Sequence, residues 1–140
     1  MNDLPWAAVV RLVHERAHHC CEYCQTCRDI IGQTMHVDHI DPGGSDHPDN
    51  LCLACPNCNL IKSNAVSAPD PETGETLPLF NPRTQKWHDH FAWIDNGRRV
   101  AGLTPTARAT VERLRMNQPA MVVARSLWIR AKCHPPIFDE

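Results

Sequence analysis

Two Cys-x-x-Cys pairs constrain this chain more than any other feature. Cys21 and Cys24 form one pair, and Cys55 and Cys58 form another roughly thirty residues on. Zinc takes four soft ligands in a tetrahedron, and a two-residue gap lets one tight turn supply two thiolates. Each pair has a competing register, Cys24/Cys27 for the first and Cys52/Cys55 for the second. Cys52 lies between Leu51 and Leu53 in an expected strand and reads as a core thiol. Cys55 and Cys58 flank a helix start at Pro56 and can share one face. "CEYC" comes directly off the first helix. The expected zinc ligands are therefore Cys21, Cys24, Cys55 and Cys58. Cys20, Cys27, Cys52 and Cys133 are left as incidental or packing residues. A redox dithiol needs one such pair rather than two. Zinc at these positions pins residues 21–24 beside residues 55–58 and closes everything between them into a loop.

The chain has 140 residues, the size of one domain, and 42% of them are apolar. No apolar run is long enough for a membrane span. "MNDLPWAAVVRLVHERAHH" has a helical apolar pattern with Asp3 near its tip. It does not read as a signal peptide, and a cytoplasmic protein with no membrane partner is expected. In a reducing compartment the cysteine spacing favours zinc over disulfides. Net charge is −2, which argues against a general nucleic-acid binder. Its distribution is uneven, however. Residues 1–97 carry 6 basic and 13 acidic residues, while residues 98–140 carry 8 and 3. The basic segment holds Arg98, Arg99, Arg108, Arg113, Arg115, Arg125, Arg130 and Lys132, and suits a polyanion.

The pattern predicts an α+β fold in one domain. Residues 1–19 read as a helix with a Trp6–Val10–Val13–Ala17 stripe. Residues 20–66 form the zinc-stapled core, with a hairpin expected about Gly32-Gln33, between "CRDII" and "TMHVDHI". "DPGGSDHPDN" is a loop, "LCLA" a strand, and Pro56 starts a helix. Residues 67–86 are rich in proline, glycine and polar groups and read as an extended connector. Residues 87–140 read as a hairpin turning on Asp95-Asn96-Gly97, then two helices. Thr104-Pro105 starts the first, with stripe Ala107–Val111–Leu114. The second carries Ala120, Val123, Ala124, Leu127 and Trp128 on one face.

Between the cysteine pairs lies "MHVDHIDPGGSDHPDNLCLACPNCNLIK", poor material for a core. Asp38 and Asn59 offer oxygen ligands suited to Mg²⁺. His39 is placed to act as a general base on water. Asn59 follows Cys58 directly, so the zinc site holds its helix. Adjacent strand residues point to opposite faces, so Asp38 and His39 serve one site only if the strand bends or ends there. His36 and Asp38 share a face and form a rival ligand set. Lys62 is a candidate phosphate contact and His47 a loop residue. His88 and His90, alternating with Asp89 in an expected strand beside Trp87 and Phe91, read as structural. His14, His18 and His19 read as surface.

Over Cys21–Lys62 the chain resembles the HNH endonuclease family, in the zinc-stabilised variant whose motif is flanked by paired cysteines. The residues that carry the likeness are "VDHIDP", the Gly-Gly loop, "DNLCLACPNCN" and the trailing lysine. "LPLFNPRTQKWHDHFAW" and the basic tail resemble the region downstream of this motif in a group of bacterial HNH proteins. The resemblance implies a ββα-metal core and a metal-dependent endonuclease acting on nucleic acid, DNA by preference. By the same likeness His39 is the general base and Asp38 a divalent-metal ligand. Asn50 positions the loop, and Asn59 is the second metal ligand where many members have histidine. That asparagine favours Mg²⁺ or Mn²⁺ over a tightly held transition metal. Lys62, Arg108, Arg113 and Arg115 are the expected nucleic-acid contacts. A dimer is compatible with one site cutting one strand. The alternative is a non-catalytic zinc module that binds nucleic acid or protein. It accounts for the cysteines and the basic tail but leaves Asp38, His39 and Asn59 at motif spacing unexplained.

Overall fold

Pro5 is extended (φ −62°, ψ 152°), and helix α1 follows over Trp6–Arg16. Its buried face is Val9, Val13 and Ala17, while Trp6 is 50% exposed. The expected stripe is thus corrected at its start. Residues four apart stack in one row, and that row runs back from Ala17 to Val9 rather than to Trp6. Cys20 and Cys27 are joined by a disulfide. That overturns their reading as incidental thiols, and it closes the segment holding Cys21 and Cys24 at its base. A one-turn helix α2, Arg28–Ile31, ends at Gly32 with φ 64°. The expected hairpin about Gly32-Gln33 is absent, because a left-handed glycine closes a helix as readily as it makes a turn.

Strand β1, His36–His39, pairs antiparallel with β2, Leu51–Ala54, in the register Asp38↔Cys52 and His39↔Leu51. All four residues of β2 are buried. Arg16 of α1 donates to the carbonyl oxygens of Pro48 and Leu51, fixing the helix to the entry of β2. Helix α3, Pro56–Lys62, starts with Pro56, and the Cys55 Sγ caps it by accepting from the Cys58 N–H at 3.3 Å. Strand, strand and helix make a ββα core.

The stretch expected as a bare connector holds a second hairpin, β3 (Ser67–Pro69) with β4 (Thr76–Pro78). Asp70 sits in its turn and accepts from Glu72 N–H and Thr73 Oγ1. It also takes two bonds from the Arg108 guanidinium, at 3.0 and 2.8 Å. Those arginine bonds hold its carboxyl at about 2. Trp87–His90 is a one-turn helix, α4, so His88 and His90 are not in a strand. Strand β5, Phe91–Ile94, comes next and pairs with β6, Arg99–Gly102, through left-handed Asp95, Asn96 and Gly97.

Helix α5, Pro105–Arg113, is capped by Thr104 Oγ1 accepting from Ala107 N–H at 3.2 Å. A Cβ on Gly102 would lie 2.5 Å from the Arg108 nitrogen, so β6 and α5 approach this closely only with glycine there. Helix α6, Pro119–Arg130, buries Arg125, which donates to the carbonyls of Arg98 and Met116. Val123 and Leu127, expected on a packed face, are 63% and 57% exposed. Arg125 takes the inward position because its guanidinium meets backbone carbonyls there and lies over the Trp93 ring.

The structure is a computed structural model that describes residues 4–138. These fall into two units. One runs to Asn64 and includes Asn81–Thr84; the other comprises Ala65–Phe80 and the chain from Gln85 onward. Short antiparallel strand pairs, helices and a cysteine cluster make the fold α+β. Among the described residues no helix is long and apolar enough to cross a membrane.

Candidate metal centre and active site

The Sγ atoms of Cys21, Cys24, Cys55 and Cys58 all lie within 4.8 Å of one another, and all four residues are buried. A zinc tetrahedron with bonds of about 2.3 Å has S···S edges of about 3.8 Å. The Cys24–Cys55 separation is 3.7 Å. Hydrogen bonds from the other three thiols push the Cys24 thiol well down, which favours a thiolate there. Burial pushes Cys21 well up, and the neighbouring thiols do the same to Cys58. Four soft donors in a dry site, one already inclined to ionise, fit a structural metal, and zinc best. Of the two registers open in the sequence, this is Cys21/Cys24 with Cys55/Cys58. Cys52 is a core thiol, as expected.

The first cysteine pair is tied to the strand behind it. Glu22 N–H donates to Leu53 O, and Leu53 N–H donates back to Glu22 Oε2, both at 2.8 Å. Arg83 reaches in from Asn81–Thr84 and ion-pairs with Glu22. Tyr23, between the two cysteines, is fully buried and donates to Asp38 Oδ2 at 3.1 Å. The metal knuckle therefore reaches the acidic residue of β1 through a single side chain.

Asp38 is 8% exposed. Three groups converge on its Oδ2: Tyr23 OH, Lys62 Nζ at 3.1 Å and Cys52 Sγ at 3.7 Å. Burial pushes the Tyr23 and Cys52 protons well up, so both stay donors. Among the described residues every polar contact of the Asp38 carboxylate falls on Oδ2. Oδ1 has no hydrogen-bond partner among the described residues, and Asp38 lines an open cavity of 390 Å³. His39 and Asn59 line the same cavity, with Pro42, Ser63 and Asn64. Strand β1 ends at His39, so Asp38 and His39 meet one cavity although their side chains leave the strand on opposite sides. His36 is exposed and does not line it.

Asn50 holds the loop between the strands. Its Oδ1 accepts from Asp41 N–H at 2.9 Å, and its Nδ2 donates to the carbonyls of Asp41 and Ser45 at 3.0 and 2.8 Å. Gly44 permits this, since a Cβ there would lie 2.7 Å from Asn50 Nδ2. His47 is occupied inside the loop, its Nδ1 accepting from Asp49 N–H.

Lys62 departs from the sequence expectation. It is 1% exposed, paired with Asp38, and donates to His39 O at 3.2 Å. It turns inward because a buried carboxylate needs a cation, and the long lysine stem reaches it through the core. The structure thus makes Lys62 an internal counter-ion rather than an exposed phosphate contact. Replacing Lys62 with Met should cost about 3 kcal/mol, since it strands a buried carboxylate. Urea unfolding of the zinc-loaded protein measures this, and the Asp38→Asn/Lys62→Met double variant should recover part of the loss.

In the second unit Arg108 is occupied by Asp70 and Glu72, and Arg125 is buried. Arg98 and Arg99 pair with Asp95. Arg113 is half-buried; Arg115, Arg130 and Lys132 are exposed. The positive charge open to a partner is therefore smaller than the basic count of the segment. Tyr23, Asp46, Ser63 and Asn64 went unmarked in the sequence. The one signal among them was the position of Tyr23 inside the knuckle.

Residues 21–65 match the HNH endonuclease family model. The matched segment holds all four clustered cysteines, both strands of the ββα core and every cavity residue named above. The HNH match supports nuclease-type activity in general, and with it a nucleic-acid substrate. No curated protein and no solved structure matches the chain.

Proposed function

We propose that the chain is a metal-dependent HNH endonuclease that hydrolyses phosphodiester bonds, with DNA as the preferred substrate. The observation that carries this reading is the convergence of Asp38, His39 and Asn59 on one cavity, in the same segment as the cysteine cluster. The open carboxylate oxygen and the Asn59 carboxamide oxygen are hard donors. Two such ligands suit Mg²⁺ or Mn²⁺, which complete their shells with water and phosphate oxygens. When bound, the ion supplies positive charge beside the scissile phosphate. His39 accepts a proton from the attacking water. Tyr23 and Lys62 hold the Asp38 carboxylate in place through Oδ2, and Asn50 keeps the loop closed. The test is nicking of supercoiled plasmid by the zinc-loaded protein across a panel of divalent ions. No cleavage of DNA or RNA with any ion would leave a non-catalytic zinc module as the better account.

Backbone binding falls to the second unit. Reversing Arg115 to Glu should weaken duplex binding and lower its salt slope by about 0.9 for each phosphate no longer neutralised. Arg108 is left intact in this test because its reversal would break the Asp70 pair. Salt titrations of wild type and variant measure the change. Equal slopes would make Arg115 part of a solvated face.

A further inference from the structure

The loop after β1 carries a carboxylate that the HNH reading leaves without a task. Asp46 Oδ1 lies 2.7 Å from His39 Nε2. Its place is set by anchored neighbours on both sides. The Ser45 carbonyl is held by Asn50 Nδ2 at 2.8 Å, and the His47 N–H donates to Ser45 Oγ at 3.2 Å. A carboxylate only accepts, so the short contact places a proton on Nε2. The other ring nitrogen, Nδ1, then carries the lone pair. It has no hydrogen-bond partner among the described residues, and His39 lines the cavity with Asp38 and Asn59.

We infer that Asp46 is a positioning residue for His39. It fixes the neutral tautomer with hydrogen on Nε2, and so presents Nδ1 to the water that attacks. The catalytic consequence rests on the nuclease reading proposed above; the contact itself does not. Asp46 is 74% exposed on its side chain, so its pairing contributes little to stability. Its effect lies in orientation, which a surface pair supplies as well as a buried one. Asn50 then acts on the base through two steps, by holding Ser45 and thereby Asp46.

The experiment uses the full zinc-loaded chain. Long-range proton–nitrogen spectra of the His39 ring, assigned by loss of its signals in His39→Gln, are compared for wild type, Asp46→Ala and Asp46→Glu at a pH where the ring is neutral. Single-turnover plasmid nicking is measured on the wild type and the two Asp46 variants. Wild type should carry its proton on Nε2, and Asp46→Ala should share it with Nδ1. The nicking rate of Asp46→Ala at saturating protein should fall about tenfold, with half-saturation and zinc content unchanged. Asp46→Glu should recover part of both. An unchanged tautomer in Asp46→Ala, or a wild-type ring protonated on Nδ1, overturns the inference. A tautomer change with no loss of rate overturns its catalytic part. If wild type does not nick, the nuclease reading falls, while the ring spectra still decide whether Asp46 sets the tautomer.

Discussion

Cys55→Ser is expected to release the structural metal and unfold the first unit. Cys55 does three things at once. It is one of four clustered thiols, its Sγ caps α3, and it joins β2 to the helix that carries Asn59. Structural zinc contributes about 10–16 kcal/mol of apparent binding free energy in small domains, against a typical net stability of about 5–15 kcal/mol. Losing one ligand of four removes most of that contribution, and nothing else in a unit with such short strands replaces it. Metal analysis with circular dichroism measures the outcome, and a chelator should reproduce it on wild type. Cys52→Ser is the control. That thiol faces Tyr23 and Asp38, outside the cluster, so the zinc should stay. A Cys55→Ser protein that keeps one zinc and a native spectrum would sink the assignment.

His39→Ala is expected to lower plasmid nicking by roughly 10²–10⁴ while zinc content, unfolding midpoint and DNA binding stay as in wild type. The side chain of His39 is 35% exposed, and its one polar contact among the described residues is with Asp46 on the surface, so its removal leaves no buried group there unsatisfied. His36→Ala should cut normally, since His36 lies outside the cavity. The reverse ranking would restore the rival His36–Asp38 ligand set. Asp38 makes a poorer probe. Asp38→Ala removes a proposed metal ligand, but it also strands the buried Lys62 ammonium, so reduced activity would mix ion binding with stability. Asp38→Asn keeps the shape and an oxygen. Partial rescue of that variant by added Mn²⁺, with no rescue of His39→Ala, separates ion holding from proton transfer.

Local chemistry was legible in the chain wherever a residue type allows few uses. Two close cysteine pairs have one economical reading in three dimensions, and the tertiary structure brings the chosen four together. Pro56 and Thr104-Pro105 mark helix starts, because proline tolerates only the first turn and a threonine hydroxyl satisfies an open N–H. Asp95-Asn96-Gly97 marks a hairpin, since these residues accept left-handed backbone. Where a residue type serves two geometries, the reading went astray. Gly32 closes a helix instead of turning a hairpin. The proline- and glycine-rich stretch over 67–86 holds paired strands. Apolar periodicity set the α6 face wrongly, because the side chain that packs inward is an arginine.

The sequence alone determined which groups could do chemistry here: a soft four-thiol site, two hard oxygen donors and a histidine within one loop and helix. Only the tertiary structure decided how each group is held. It turned Lys62 inward against Asp38 and engaged Arg108 with Asp70. It joined Cys20 to Cys27 and put Asp46 against His39. Each of these partners lies beyond the reach of local periodicity, from 7 residues away for Cys20–Cys27 to 38 for Arg108–Asp70. A buried charge takes whichever opposite charge the fold brings within hydrogen-bond distance, and that choice is made by packing.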